Sequence, residues 1–204
     1  PFELRFIKIG IRINTGVKIS KANTDNSKPV QHQSLLVYPN LKSFTGFELI
    51  NKDNKKLTID DFADKWTLLF FGFTTCPDVC PTTLTDLQNI YQKLEQAKLP
   101  QLPEILFVSV DPERDTPEKL KNYINFFNPN FNAATGDKGS LLSLSSQIGV
   151  AFHIQDHEPG DISYNVDHTA ALFVVNPKKQ LYGIFQSPHD NNKIASDLAR
   201  LMEL

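Results

Sequence analysis

The chain has 204 residues, of which 40% are hydrophobic and 10% aromatic, a composition typical of a globular protein with one principal domain. Its 21 basic and 23 acidic residues give a net charge of −2 without runs of like charge, so we expect no nucleic-acid partner. No stretch reaches the about 18 consecutive apolar residues of a membrane span. Because the sequence begins at Pro1 and not at Met, a membrane tether or signal upstream stays open.

Residues 1–40 differ in composition from the remainder of the chain. Phe2–Ile13 alternates apolar and charged side chains, which predicts an edge strand or a disordered arm. Asn14–Gln33 is polar with almost no apolar residues, which predicts a flexible linker. We therefore expect residues 1–40 to form an arm and linker, derived in part from cloning or following a membrane anchor. Residues 41–204 are expected to form the folded domain.

Strand and helix patterns alternate through the folded domain. Phe44–Ile50 and Lys56–Ile59 flank a turn and predict an N-terminal β-hairpin, and the continuously apolar Trp66–Phe73 predicts a buried central strand. Apolar residues then recur at helical spacing after the two cysteines. The later elements are a strand at Ile105–Val110, helices at Thr116–Phe127, Lys138–Ile148 and Asp190–Met202, and strands at Val150–Ile154, Thr169–Val175 and Gln180–Phe185. This order predicts an α/β sandwich with a central mixed β-sheet flanked by helices.

Cys76 and Cys80 are the only cysteines and lie between the predicted central strand and the helix that follows it. Residues four apart share one face of a helix, so the two sulfurs can converge on one point. The start of a helix also favours the thiolate over the thiol, which is the form that binds metals and attacks disulfides. The pair is compatible with a metal site, a redox dithiol or a structural disulfide, and its spacing does not decide among them.

A cysteine pair at a strand-to-helix corner, together with a β-hairpin near the C-terminus, is typical of the thioredoxin-like fold. In that fold the residue before the first strand of the hairpin lies opposite the cysteines, where thioredoxins have a cis-proline. This chain has His168 at that position. A lone histidine before a strand is commonly a surface or hydrogen-bonded residue, but one that faces two thiolates is the leading candidate for a third metal ligand.

Three motifs in this order resemble the Sco/SenC family of copper-binding thioredoxin-like proteins. They are Phe71–Pro81, Val108–Thr116 and Asp167–Thr169. The resemblance covers about Leu41–Met202. In that family the two motif cysteines and the histidine bind one copper ion, so the resemblance implies three copper ligands in this chain. These are Cys76, Cys80 and His168.

The chemistry of these donors agrees with copper as the cofactor. Two soft thiolates favour Cu(I), and an added imidazole also accommodates Cu(II). Zinc is a competitor, although the sequence offers no obvious fourth protein ligand at short range. Since the ligands must lose their protons to bind a metal, we expect copper affinity to drop as pH falls.

The resemblance implies a copper chaperone or assembly factor that delivers copper to cytochrome c oxidase or prepares its copper site, without catalytic turnover. The expected partner is the copper-bearing subunit of the oxidase or another copper or thiol protein. The alternative is a thiol-disulfide oxidoreductase with Cys76 and Cys80 as catalytic residues. A peroxidase ranks last, because the motif lacks a threonine or arginine cage around a peroxidatic cysteine.

Location and assembly also follow from the resemblance alone. We expect a monomer in the bacterial periplasm, tethered to the inner membrane. The alternative is the mitochondrial inner membrane, with the domain facing the intermembrane space.

Several polar residues near the motifs have less specific signals. Asp78 and Asp111 could accept hydrogen bonds close to the site, but a loop and a turn explain them equally well, and neither belongs to the ligand set. Glu113–Asp115 is predicted to be a solvated loop with local ion pairing. His153 and His157 invite a second metal site, but their polar surroundings favour two surface histidines.

Overall fold

The computed structural model describes residues 32–203. The strands in this range are β1 (Leu36–Ser43), β2 (Leu49–Asn51), β3 (Lys56–Leu57), β4 (Thr67–Gly72), β5 (Glu104–Ser109), β6 (Asn132–Thr135), β7 (Phe152–Ile154), β8 (Val166–His168), β9 (Leu172–Val175) and β10 (Gln180–Phe185). The α-helices are α1 (Val79–Gln96), α2 (Pro117–Phe127), α3 (Lys138–Ile148) and α4 (Asn191–Met202), and a short 3-10 helix covers Ile59–Phe62. Within this range no helix has the length and apolar character needed to cross a membrane.

Eight strands form one mixed sheet in the order β1-β10-β9-β4-β5-β6-β2-β3. The central strands β4, β5 and β6 are parallel, whereas β9 runs antiparallel to β4. Strands β7 and β8 form a separate antiparallel pair. This mixed sheet with its helices confirms the predicted thioredoxin-like α/β architecture, including the hairpin of β2 and β3 near the N-terminus.

Strand β4 is buried on both faces and divides the core into two layers. Successive side chains of a strand point to opposite faces, so Leu68 and Phe70 pack in one layer and Leu69 and Phe71 in the other. Apolar residues of α1, α2 and α4 complete the first layer, and those of α3 complete the second. The sequence of β4 is continuously apolar because both faces of the strand are covered.

Helix α2 begins where the sequence predicts it. The Thr116 hydroxyl accepts a hydrogen bond from the N–H of Lys119, and Pro117 occupies the first turn, where its missing N–H removes no helical bond. This start fixes the segment between β5 and α2, which lies against the cysteine loop. The position of the helix start thus follows from local sequence.

Three strands differ from the sequence prediction. Strand β1 crosses the predicted boundary at residue 40, and most of its side chains are exposed, so no apolar alternation marks it in the sequence. Strands β6 and β8 have only four and three residues and are defined by their pairing partners, β5 and β7. The strand predicted at Phe2–Ile13 and most of the predicted linker lie outside the described residues.

Candidate metal centre

The two cysteines lie at the corner between β4 and α1. Strand β4 ends at Gly72, the loop after it carries Cys76, and Cys80 is in the first turn of α1. The N–H of Cys76 donates to the carbonyl oxygen of Phe73 at 3.3 Å, which closes the loop into a turn. Cys80 is fully buried and Cys76 is partly exposed, and both are free thiols. The pair therefore has an inner and an outer sulfur.

Gly72 allows the first turn of α1 to approach the end of β4. A Cβ atom at this position would lie 2.5 Å from Sγ of Cys80 and 2.8 Å from the ring of Phe107. Any side chain at position 72 would therefore displace the inner sulfur or the aromatic ring behind it. Glycine is required here because of the close approach and not because of its backbone angles.

His168 is the last residue of β8 and faces the corner. Its Nε2 lies 3.4 Å from Sγ of Cys80, and its ring meets the rings of Phe70 and Phe73 edge-on, with centroids 6.1 and 5.9 Å away. One ligand atom from each of Cys76, Cys80 and His168 lies within 4.8 Å of the other two. The structure thus brings together all three residues predicted as metal ligands.

The protonation states of the inner cysteine and the histidine are set mainly by burial. Burial raises the pKa of Cys80, and a hydrogen bond with the backbone of Phe73 offsets this only in part. The expectation that the helix start would favour the thiolate is wrong for Cys80, because desolvation of the charged sulfur outweighs it. Burial lowers the pKa of His168, so its ring is neutral at pH 7.

The neutral imidazole of His168 is oriented by its other nitrogen. Nδ1 lies 3.3 Å from the carbonyl oxygen of Thr169, which can only accept a hydrogen bond. The proton of the neutral ring therefore belongs on Nδ1, and the lone pair of Nε2 points to the sulfurs. This is the arrangement of histidines that ligate metals, whose second nitrogen is tied to a backbone carbonyl.

The donor set fits a soft metal ion such as copper. It combines two thiols with one neutral imidazole, and all three donor atoms converge within 4.8 Å. Asp78, which precedes α1 between the two cysteines, is exposed, and its side chain makes no capping hydrogen bond. It lies outside the converging group.

Of the solvated loop predicted at Glu113–Asp115, only Glu113 is exposed. Asp111 and Asp115 are both fully buried, and the side chain of Arg114 is only 8% exposed. Asp115 accepts hydrogen bonds from the backbone N–H of Thr74 at 2.8 Å, from the Thr74 hydroxyl and from the Ser109 hydroxyl at 2.6 Å. The prediction of local ion pairing is confirmed, but that of solvation was wrong for Arg114 and Asp115. The partners of Asp115 come from β5 and the loop after β4, and charged residues in a short loop give no sign of them.

Arg114 makes contacts with the segment that precedes β8. Its Nε donates to Asp111, and its Nη1 donates to the carbonyl oxygens of Ile162 at 3.0 Å and Tyr164 at 2.9 Å. The guanidinium carbon lies 3.7 Å from the ring centroid of Tyr164 and 5.4 Å from that of Phe73, which itself contacts His168. These residues therefore link β8 to the cysteine corner.

The two histidines of the neighbouring loop have different environments. His153 is exposed, as predicted. His157 is less exposed than a surface histidine, since its ring stacks on Tyr164 at 3.6 Å and its Nε2 lies 3.0 Å from a carboxylate oxygen of Glu113. Hydrogen bonds with the carbonyl of Gln155 and with Glu113 raise the pKa of His157. Neither histidine belongs to the converging cluster of metal ligands.

Comparison with known proteins places the chain among its relatives. The SCO1/SenC family model matches residues 39–203. The SCO2-like protein of Rickettsia prowazekii is 34% identical over 149 residues, which are 73% of this chain and 72% of that protein. The structure of Arabidopsis thaliana ScoI with copper bound matches with a TM-score of 0.72 at 29% identity, covering 79% of this chain and 99% of that one.

A bacterial ScoI structure matches this chain about as well as the plant structure does. The structure of Bradyrhizobium japonicum ScoI with copper bound has a TM-score of 0.68 and 31% identity, and the match covers 78% of this chain and 99% of that one. Sequence and fold agree over the region that contains the strands, the helices and the cysteine-histidine cluster. The chain therefore belongs to the SCO1/SenC family.

Proposed function

We propose that this chain is a copper chaperone that binds one copper ion through Cys76, Cys80 and His168. It delivers the ion to cytochrome c oxidase or prepares the copper site of that enzyme. The observation that carries the proposal is the convergence of two thiols and a neutral imidazole within 4.8 Å, on elements far apart in the chain. Copper is cargo in this function, and the protein itself catalyses no turnover.

Each of the three residues has a distinct part in holding the cargo. Cys80 supplies a buried sulfur whose proton must be released when copper binds, since only the thiolate is a strong ligand. Cys76 supplies the partly exposed sulfur, so copper enters and leaves on its side. His168 supplies a nitrogen that is already neutral and oriented. One site can thereby hold Cu(I) on its sulfurs and Cu(II) with the imidazole.

The similar structures support copper as the metal, and the family resemblance supports cytochrome c oxidase as the protein that receives it. Both ScoI structures to which this chain is similar were determined with copper bound. The acceptor, a copper-bearing subunit of cytochrome c oxidase, rests on the family resemblance. On the same ground we place the domain in the bacterial periplasm, tethered to the inner membrane, or in the mitochondrial intermembrane space.

The partial exposure of the Cys76 thiol favours a second candidate, a thiol-disulfide oxidoreductase. The partly exposed Cys76 thiolate would attack one sulfur of a partner disulfide and form a mixed disulfide. Cys80 would then attack Cys76, which leaves the partner as a dithiol and this protein with a Cys76–Cys80 disulfide. The raised pKa of Cys80 makes it a poor attacking group at neutral pH, so copper binding is the stronger reading.

One set of variants separates the two candidates. Copper stoichiometry, absorption spectrum and insulin disulfide reduction are measured for the wild type, Cys76→Ser and His168→Ala, with His153→Ala as a control at an exposed histidine. A copper chaperone binds one equivalent tightly, loses this binding in Cys76→Ser and weakens strongly in His168→Ala, and His153→Ala behaves as the wild type. Efficient insulin reduction that is unchanged in His168→Ala, with weak copper binding throughout, would establish the oxidoreductase instead.

A further inference from the structure

Three charged residues between β5 and α2 make contacts with both halves of the cysteine-histidine cluster. We call Asp111, Arg114 and Asp115 the charged clamp. Both carboxylates are fully buried, and the guanidinium is nearly so. Burying three charges is costly even when they are paired, so their value to this protein is not explained by stability alone.

One arm of the charged clamp holds the loop of Cys76. Asp115 accepts hydrogen bonds from both the N–H and the hydroxyl of Thr74, which lies two positions before Cys76. The Ser109 hydroxyl donates a third bond at the end of β5, and Nζ of Lys119 lies 3.2 Å away and balances the charge. The carboxylate thereby ties the cysteine loop to the end of a central strand.

The other arm holds the segment that leads to His168. Arg114 donates to the carbonyl oxygens of Ile162 and Tyr164, immediately before β8, and its guanidinium lies over the Tyr164 ring. The Tyr164 hydroxyl donates to Asp111 at 2.6 Å, so the same pair of charges also fixes the tyrosine side chain. The main chain from Tyr164 to His168 is therefore anchored at its start by Arg114.

We propose that Asp115 and Arg114 are positioning residues for the copper site. Asp115 sets the place of Cys76 through Thr74, and Arg114 sets the place of His168 through Tyr164. This inference rests on the proposed function, because it assigns a purpose to residues around the same site. Groups that orient metal ligands commonly change metal affinity about 10- to 100-fold when they are replaced.

The test compares positioning variants with matched controls in the whole chain. Asp115→Asn keeps the size of the side chain but turns one acceptor into a donor that faces the hydroxyls of Thr74 and Ser109. Asp197→Asn is its control, because Asp197 is also fully buried and accepts backbone hydrogen bonds from residues 33–35. Arg114→Lys keeps the charge but loses the planar fork, and Arg200→Lys at an exposed position is its control.

Two readouts are made on each variant. The first is Cu(I) affinity by competition with a chelator, with urea unfolding of the metal-free protein to record stability. The second is amide hydrogen exchange of the reduced metal-free protein, which requires no copper. We expect Asp115→Asn and Arg114→Lys to weaken copper binding about 10- to 100-fold. Asp115→Asn should speed exchange in residues 74–76, and Arg114→Lys in residues 162–168.

The controls distinguish positioning from general stability. Asp197→Asn should lower the urea midpoint, while its copper affinity should stay within about threefold of the wild type. Substitutions at sites far from each other act nearly independently. If Asp115→Asn does not fold, Thr74→Val removes the hydroxyl that donates to Asp115 and should give a smaller loss in the same direction. Folded positioning variants that bind copper with wild-type affinity would overturn the proposal, whether or not their exchange changes.

The outcomes also separate this proposal from the proposed function. If the wild type binds no copper, the copper chaperone fails, while exchange in the metal-free variants still decides whether Asp115 and Arg114 hold the two segments. If the wild type binds one copper ion and the variants bind it equally well, the chaperone stands and the positioning role is wrong.

Discussion

The two halves of the copper site are built in different ways. The corner, residues 72–80, joins β4, which pairs with β5 and β9, to the 18-residue helix α1. The ribbon, strands β7 and β8, has three residues in each strand, and in the described part of the chain these strands pair only with each other. Cys80 in the corner is fully buried, whereas Asp167, next to His168 in the ribbon, is exposed.

This difference assigns different properties to the two kinds of ligand. The inner sulfur is placed by the core, so a change that moves it should also cost folding stability. The imidazole is placed by a few contacts, chiefly with Phe70, Phe73 and the carbonyl of Thr169. A change in the ribbon should therefore alter copper affinity with little effect on global unfolding.

The largest effect expected is the pH dependence of copper binding. The pKa of Cys80 is raised, so its thiol is protonated throughout pH 6 to 8 in the metal-free protein. The pKa of His168 is lowered, so its ring is neutral over most of this range. Releasing the proton of Cys80 alone makes copper affinity rise about tenfold per pH unit, so we expect a rise of at least about 100-fold from pH 6 to pH 8. Any proton that Cys76 also releases on binding makes the slope steeper. Chelator competition at several pH values measures this slope.

The variant His168→Ala is the control for the origin of that slope. Its affinity should be lower at every pH, but the slope between pH 6 and pH 8 should persist, because the proton comes from the corner. A slope that disappears in His168→Ala would instead assign the proton to the ribbon.

The next largest effect is expected from the glycine that supports the inner sulfur. In Gly72→Ala the new Cβ would clash with Sγ of Cys80 and with the Phe107 ring. Overpacking of this kind costs about 1–3 kcal/mol of unfolding free energy. We expect copper affinity to fall about tenfold or more, since a ligand atom is displaced. Urea unfolding and chelator competition measure the two effects.

Gly46→Ala is the matched control, because a Cβ at Gly46 meets nothing within 4 Å. It should leave both the stability and the affinity at wild-type values. Wild-type copper binding in Gly72→Ala would contradict the view that the core fixes the inner sulfur.

The corner could be predicted from the sequence because its determinants are local. A continuous apolar run, a cysteine pair and a helical pattern follow one another within about thirty residues, and each has a physical meaning of its own. His168 could be placed only through the fold, since its sequence neighbours say nothing about the sulfurs. Its environment, including the neutral ring and the two aromatic contacts, became visible only in the structure.

The charged clamp could not be predicted from the same kind of signal. Asp111, Arg114 and Asp115 have the composition of a surface loop, and their partners Thr74 and Tyr164 lie about forty and fifty residues away along the chain. Charged residues are buried only when such partners are supplied by tertiary structure. A sequence pattern of near neighbours contains no information about this pairing.

A smaller effect is expected from the fastening of the ribbon. The Thr169 hydroxyl accepts from the N–H of Ala151 at 3.1 Å and donates to its carbonyl oxygen at 3.2 Å. In Thr169→Val these bonds are lost next to His168, which costs about 0.5–1.5 kcal/mol locally. We expect copper affinity to fall severalfold while the urea midpoint stays close to that of the wild type.

Thr85→Val is the control on the corner side. The Thr85 hydroxyl donates to the carbonyl oxygen of Pro81 within α1, at an exposed position. Its loss should not change copper affinity, because the core holds the helix in place. Equal losses of affinity in Thr169→Val and Thr85→Val would mean that the ribbon and the corner are equally rigid.

The smallest effect concerns the pKa of His157, in the loop that connects β7 and β8. Its hydrogen bonds with the Gln155 carbonyl and with Glu113 raise this pKa. Protonated His157 therefore stabilises the loop at a pH below its unfolded-state pKa, and this contribution is lost as pH rises through the higher folded-state pKa. In Glu113→Gln the pKa of His157 should move down toward the ordinary histidine value, with little change in copper affinity. An NMR titration of the His157 ring measures the shift.

Glu158→Gln is the control, because it removes an exposed carboxylate next to His157 in the sequence. It should move the pKa of His157 less than Glu113→Gln does. An unchanged pKa in Glu113→Gln would mean that the loop is held by the stacking of His157 on Tyr164 without the ion pair.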